Sequence, residues 1–240
     1  MDNTTAVGMN RTGLDMAPLS KDQLVEFARE QAPRAPHEPA GLAEVRKQYA
    51  LEADRVGSVP VPASLKGVAK AAMGKLKGDN PEVLIDKLGE RLAFERTGVR
   101  LYEALITKAG AASQGPMLDL AQLQAMRDDE ASHFELLTRC LQQLGADPTA
   151  VTPCADVAGV AATGHLQVLT DPRTTLAQAL GSMLMVELGD NASWELLAEL
   201  ARQSGHEPMA QAFAGPLQAE ARHLETVRGW LRQAVLDEGG

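Results

Sequence analysis

Two short stretches constrain this chain more than anything else in it. "DDEASHFELL" (128–137) carries Glu130 and His133, and "QAEARHLETV" (218–227) carries Glu220 and His223. Both lie in sequence that otherwise reads as helix, and residues three apart share a helix face. The apolar seam of a packed helix alternates every three and four positions. Around the first pair it runs Leu123, Met126, Glu130, His133, Leu137, Cys140, Leu144; around the second it runs Phe213, Pro216, Glu220, His223, Val227, Trp230. Any fold that buries these seams must also bury two carboxylate–imidazole pairs.

The rest of the chain is composed for helices. Hydrophobic residues make up 45% of the 240 and aromatics only 3%, while Ala, Leu, Glu, Gln, Met and Arg, all good helix formers, dominate. An all-α fold is predicted. Four long helices are read at about 82–109, 116–144, 172–205 and 207–235. The third is expected to start at Pro172 behind a capping Asp171. Pro216 is expected to kink or delay the fourth one turn before Glu220. Short links make the first two helices one antiparallel hairpin and the last two another. The connection between hairpins, "ADPTAVTPCADVAGVAATGHLQVLTDP", is long enough to cross their full length, with a short helix expected near "CADVAGVAATGHL". This predicts a four-helix bundle over 82–240, preceded by a partly helical extension over 1–81.

In the extension, "SKDQLVEFAREQAP" reads as a helix with Ser20 as cap and Gln23 completing a capping box. "PRAPHEPAG" reads as a linker, and a second helix is expected in "LAEVRKQYALEADR", before "VPVP". "ASLKGVAKAAMGKLKG" spaces Lys66, Lys70, Lys75 and Lys77 as a basic amphipathic helix would. A solvated lysine face is the expected role; docking on an acidic partner or a membrane surface is the alternative.

A net charge of −9 and a pI of 5.1 argue against a protein that binds nucleic acid by displacing counterions. "MDNTTAVGMNRTG" lacks the pattern of a secretory signal, and no apolar run reaches the roughly 20 residues of a membrane helix. Two cysteines, Cys140 and Cys154, make neither a disulfide framework nor a CxxC site. The expected setting is cytoplasmic.

The seams of the other two long helices are interrupted as well. They read Leu88, Leu92, Glu95, Val99, Tyr102, Ile106 and Leu180, Leu184, Glu187, Asn191, Trp194, Ala198. A carboxylate alone in a dry core costs several kcal/mol, and crowded carboxylates raise one another's pKa. Two divalent cations would cancel four carboxylates, with neutral imidazoles completing the shells. The candidate metal ligands are therefore Glu95, Glu130, His133, Glu187, Glu220 and His223. Glu95 precedes Glu130 by 35 residues and Glu187 precedes Glu220 by 33, which suggests two hairpins related by a pseudo-twofold axis. Carboxylate and imidazole ligands suit iron or manganese. Tyr102, expected beside the site, is a candidate to hydrogen-bond a ligand or relay an electron, or else a core tyrosine. Trp194 and Trp230 are read as packing residues, and His37, His165 and His206 as surface residues.

These residues resemble the ferritin-like superfamily of di-iron carboxylate proteins, whose site takes one Glu from each of two helices and Glu-x-x-His from the other two. The resemblance covers 82–235 and is nearest to the rubrerythrin-like branch, which shares the seven-residue spacing from Glu95 to Tyr102. It implies two irons bridged by Glu130 and Glu220, with Glu95 and Glu187 terminal and one imidazole, His133 or His223, on each metal. Rubrerythrins have a further glutamate where this chain has Asp190; with Asn191 beside it, Asp190 is an additional ligand, a partner for a ligand histidine, or a surface residue. Rubrerythrins also carry a four-cysteine rubredoxin module, which two cysteines cannot form, so an external electron donor is implied. The implied activity is reduction of peroxide or O₂. The alternatives are a di-iron oxygenase acting on an organic substrate, an iron-binding or storage protein, and a metal-free structural bundle; a homo-oligomer is compatible with each.

Overall fold

Eight helices, and no strand, make up the regular structure of the described residues. The computed structural model describes residues 20–31, 40–60, 65, 67–69, 80–112 and 118–239. The helices are α1 (Lys21–Gln31), α2 (Ala40–Glu52), α3 (Pro81–Ala111), α4 (Leu120–Leu144), α5 (Pro153–Thr170), α6 (Leu176–Gln203), α7 (Glu207–Ala212) and α8 (Ala214–Gly239). The chain divides into two compact units at Val56–Gly57. In the smaller, α1 and α2 leave the side chains of 20–30 and 41–56 exposed. Most of the lysine-bearing segment and most of the linker around His37 lie outside the described residues. No described helix is long and apolar enough to cross a membrane.

Two apolar clusters order the larger unit. One gathers the start of α3 (Leu84, Leu88, Leu92), the end of α4 (Leu137, Cys140, Leu144), the end of α6 (Trp194, Ala198, Ala201) and Phe213. The other gathers the end of α3 (Leu101, Tyr102, Leu105), the start of α4 (Leu123, Met126), the start of α6 (Leu176, Leu180, Met183) and Val227 and Ala234 of α8. So α3 runs antiparallel to α4, and α6 antiparallel to α8. Between the two clusters lies a belt of buried polar side chains.

The connection between the helix pairs is itself a helix. α5 starts at Thr152, whose side chain accepts from Ala155 N and donates to the Asp86 carbonyl, while Cys154 N donates to Asp86 Oδ1 at 2.8 Å. Its far end is held by Lys108, whose Nζ donates to the carbonyls of Asp171 and Thr174. The crossover is thereby fastened to both ends of α3. It is longer than the short helix expected, because Pro153 at the first position and an apolar face on α3 let it start earlier and continue further.

Three boundaries differ from the sequence reading. α4 starts at Leu120, not near 116, behind Asp119, whose side chain accepts from Ala121 N and Gln122 N. α6 starts at Leu176, not Pro172: Thr175 and Gln178 form a capping box, and Asp171 instead closes a turn by accepting from Arg173 N and its guanidinium. The fourth long helix is split at Phe213 into α7 and α8. Pro216 falls in the first turn of α8, where a missing N–H is tolerated.

Close approach of α5 to α3 requires Gly89. A Cβ there would come 2.5 Å from Thr152 Oγ1 and 2.7 Å from its Cγ2. Gly89→Ala should therefore destabilise the chain by about 1–3 kcal/mol through overpacking, despite the ~1 kcal/mol gain in helix propensity. Denaturant unfolding checks this, and Thr152→Ala in the same background should recover part of the loss. A variant as stable as the parent would disprove the contact.

Candidate metal centre

The polar belt is supplied by one or two turns from the interior of α3, α4 and α6 and from the second and third turns of α8. Glu95 comes from α3, Glu130 and His133 from α4, Glu187 from α6, Glu220 and His223 from α8, and all six are buried, with no exposure above 6%. Ligand atoms of Glu95, Glu130, His133 and Glu220 lie within 4.8 Å of one another, as do those of Glu130, Glu187 and His223. Glu130 thus belongs to both groups. Glu220 reaches both histidines: its Oε1 lies 2.8 Å from His133 Nδ1 and its Oε2 3.2 Å from His223 Nδ1.

The orientation of these atoms is informative. Glu95 Oε2, Glu187 Oε2, Glu220 Oε1 and His133 Nδ1 are buried without a hydrogen-bond partner among the described residues. His133 Nδ1 and Glu220 Oε1 are close enough to bond but out of line. Buried polar atoms are ordinarily satisfied; three of these four belong to the group formed with Glu95, Glu130, His133 and Glu220, and the fourth to the group formed with Glu130, Glu187 and His223, and each group could hold a cation. The opposite edges are occupied. Glu187 Oε1 accepts from Tyr102 OH at 2.5 Å, and His223 Nε2 lies 3.1 Å from Asp129 Oδ2. Asn191 Nδ2 donates to the carbonyls of Glu187 and Glu220, tying α6 to α8 where both glutamates sit. Asp190 is buried and receives the guanidinium of Arg91, which also donates to Glu95 Oε1 at 2.7 Å.

The belt repeats with approximate twofold symmetry. Tyr102 follows Glu95 by seven residues and Trp194 follows Glu187 by seven. Tyr102 meets the His223 ring edge-on at 6.0 Å, and Trp194 meets His133 in the same way at 5.6 Å. Trp194 is fully buried while Trp230 is half-buried. Outside the belt, His165 is half-buried within α5, its Nδ1 3.0 Å from Ser182 Oγ, so it is not the surface residue expected from the sequence; His206 is half-buried at the start of α7.

Crowding shapes the electrostatics. Burial, then the charges of Glu220, Glu95 and Asp190, push the Glu130 carboxyl well above its usual range. Burial and Glu220 raise Glu187 to about 8, against the pull of His223 and Tyr102. Burial opposes charge on His133, but Glu220 and Glu95 outweigh it and raise the imidazole to about 9. Burial beside Glu187 and Glu130 likewise keeps the Tyr102 phenol protonated far above its ordinary range. Protons held on Glu130, Glu187, His133 and Tyr102 therefore temper the repulsion within the belt.

Arg91, Asp129 and Gly98 were not singled out by the sequence. Arg91 lies one turn before Glu95 on the same face, and Gly98 interrupts an otherwise strong helix pattern; both are signals in retrospect. A Cβ at Gly98 would overlap Glu130 Oε2 and come 2.9 Å from its Cδ. Gly98→Ala should keep the fold, since alanine favours helix, but displace the Glu130 carboxylate and weaken divalent-cation uptake roughly 10-fold or more. Equilibrium dialysis against Mn(II) checks this; undiminished uptake would show that Glu130 is not held at Gly98.

No curated protein and no solved structure matches the chain. Residues 79–238 match the model of a family described as a domain of unknown function, DUF892. With two thirds of its length matched, the chain belongs to that family.

Proposed function

We propose that residues 82–240 form a ferritin-like four-helix bundle holding two irons, and that the protein is a di-iron oxidoreductase that reduces peroxide or O₂ with electrons from an external donor. The observation that carries this reading is the convergence of unpartnered Glu95, Glu187, Glu220 and His133 atoms on the shared carboxylate of Glu130. Two antiparallel helix pairs joined by a helical crossover support the architecture. Carboxylate and imidazole donors favour iron or manganese over thiolate-loving metals.

A bound iron pair supplies redox exchange with peroxide or O₂. The chain's own groups prepare the place for it. Glu130 and Glu220, which face both histidines, are suited to bridge; Glu95 and Glu187 are suited to bind terminally. Tyr102 fixes Glu187 by donating to Oε1 and keeps its own proton. Asp129 orients His223 so that Nδ1 faces inward, as outer partners of metal-binding histidines do. Because the Asp129 side chain is 44% exposed, it also links that imidazole to solvent. The apolar clusters on either side, with Leu92 and Leu137 in one and Met126 and Met183 in the other, keep bulk water out.

Elemental analysis of anaerobically purified protein should find about two irons per chain, and ultraviolet–visible spectra should change on adding peroxide or O₂. Glu130→Ala should abolish binding; retention of two irons by that variant would sink the assignment. Loading must also displace protons. At neutral pH His133, raised to about 9, and Glu187, raised to about 8, hold protons in the metal-free protein. Binding needs them deprotonated, so Mn(II) affinity should climb from pH 6 toward 9. Calorimetry in buffers of different ionisation enthalpy checks the proton release, and a flat pH profile would contradict it.

A further inference from the structure

A cation is buried among the carboxylates. Arg91 is 2% exposed, and its Nη2 donates both to Glu95 Oε1 and to Asp190 Oδ1, on another helix. We propose that Arg91 is a positioning residue of the centre: it holds Glu95 with one oxygen facing inward and keeps Asp190 out of the ligand set as its counter-ion. This rests on the two-metal reading above.

Three observations carry it. First, the bond from Arg91 uses Oε1 of Glu95, and the oxygen left without a partner is Oε2, which lies 3.5 Å from His133 Nδ1. A carboxylate pinned by one oxygen presents the other in a fixed direction. Second, Asp190 shares a helix face with Glu187, three residues away, yet its carboxylate is engaged by the guanidinium. Third, the guanidinium is seated: its Cζ lies 4.2 Å from the Phe94 ring centroid and 5.9 Å from that of Trp194. The device has no twin. The position four residues before Glu187 is Met183, a core residue, and the one three residues after Glu95 is Gly98. Glu95 is thus held by a cation and Glu187 by a neutral phenol.

The pair is electrically silent. With Asp190 and the four glutamates ionised, the centre holds five carboxylates against one guanidinium, which leaves the charge that two divalent cations cancel. Removing Arg91 alone would strand a buried carboxylate and threaten the fold, so both charges are removed together. Arg91→Met with Asp190→Asn leaves the net charge facing the metals unchanged, and a change in affinity then reads positioning.

The test is anaerobic calorimetric titration of the full chain with Mn(II), with thermal melting measured in parallel. The wild type and Asp190→Asn should each take two metals, the variant more weakly at both positions because Arg91 then keeps an uncompensated charge. The double variant should weaken one of its two positions by roughly 10–100-fold, the usual effect of losing an outer partner, and leave the other in place; a merely structural role would not select one position. Loss of one metal in Asp190→Asn would make Asp190 a ligand and overturn the proposal, as would a double variant that titrates like the wild type. If the double variant does not fold, Arg91→Gln with Asp190→Asn is read by the same criteria, and Asp190→Asn still decides whether Asp190 binds metal. A wild type that takes up no Mn(II) or Fe(II) would overturn the two-metal reading and this inference with it; two metals in a wild type matched by its double variant would overturn this inference alone.

Discussion

Mutual repulsion among buried carboxylates is the constraint around which the larger unit is arranged. Glu95, Glu130, Glu187, Glu220 and Asp190 share one belt, with Arg91, His133 and His223 as the cationic or cation-capable groups beside them. No apolar contact can offset that repulsion, because burial strengthens it. The fold answers with counter-charges and fixed geometry. Each carboxylate edge pointing away from the centre has a donor where one is needed, Tyr102 for Glu187 and Arg91 for Glu95. On the inward side, Glu95 Oε2, Glu187 Oε2 and Glu220 Oε1 have no hydrogen-bond partner among the described residues.

The helices are placed accordingly. Leu-rich turns on either side of the belt supply the apolar burial that fixes the long helices against each other, and glycines appear where backbones or carboxylates must come close. Gly98 faces the Glu130 carboxylate and Gly89 faces Thr152. The crossover does more than connect: fastened at Asp86 and Lys108, it covers a flank of α3 along much of its length. Membership of a family without an assigned function leaves the site as the basis for any functional argument.

Much of this was legible in the sequence. The three-and-four alternation in α4 marks Leu123, Met126, Glu130, His133, Leu137, Cys140 and Leu144, and these positions are all buried. A repeating period survives translation into structure because it states which face is turned inward. Helix starts were less legible: Pro172 carries a strong start signal, but the capping box at Thr175 and Gln178 prevails. Asp190 shows the limit of the method. Its carboxylate could be placed beside the ligands by spacing alone, but its partner is 99 residues away on another helix. Arg91 stands one turn before Glu95, but its pairing with Asp190 was hidden for the same reason. Pairing of that kind depends on how two helices are rotated about their axes, which no single helix records.

The division of the apolar interior into two clusters has a mechanical consequence. One cluster draws its buried residues from α3, α4, α6 and the α7–Phe213 segment, with Leu217 of α8 packed against it, and the other from α3, α4, α6 and α8 together with Leu118 and Leu169, so each holds its own end together. The belt between them contributes repulsion that protons temper and that the proposed cations would turn into cohesion. With the proposed metals bound, side chains from α3, α4, α6 and α8 would close on a common centre and brace the belt as a joint between two hydrophobic blocks. Occupancy of the belt would then set whether the two ends unfold separately or as one.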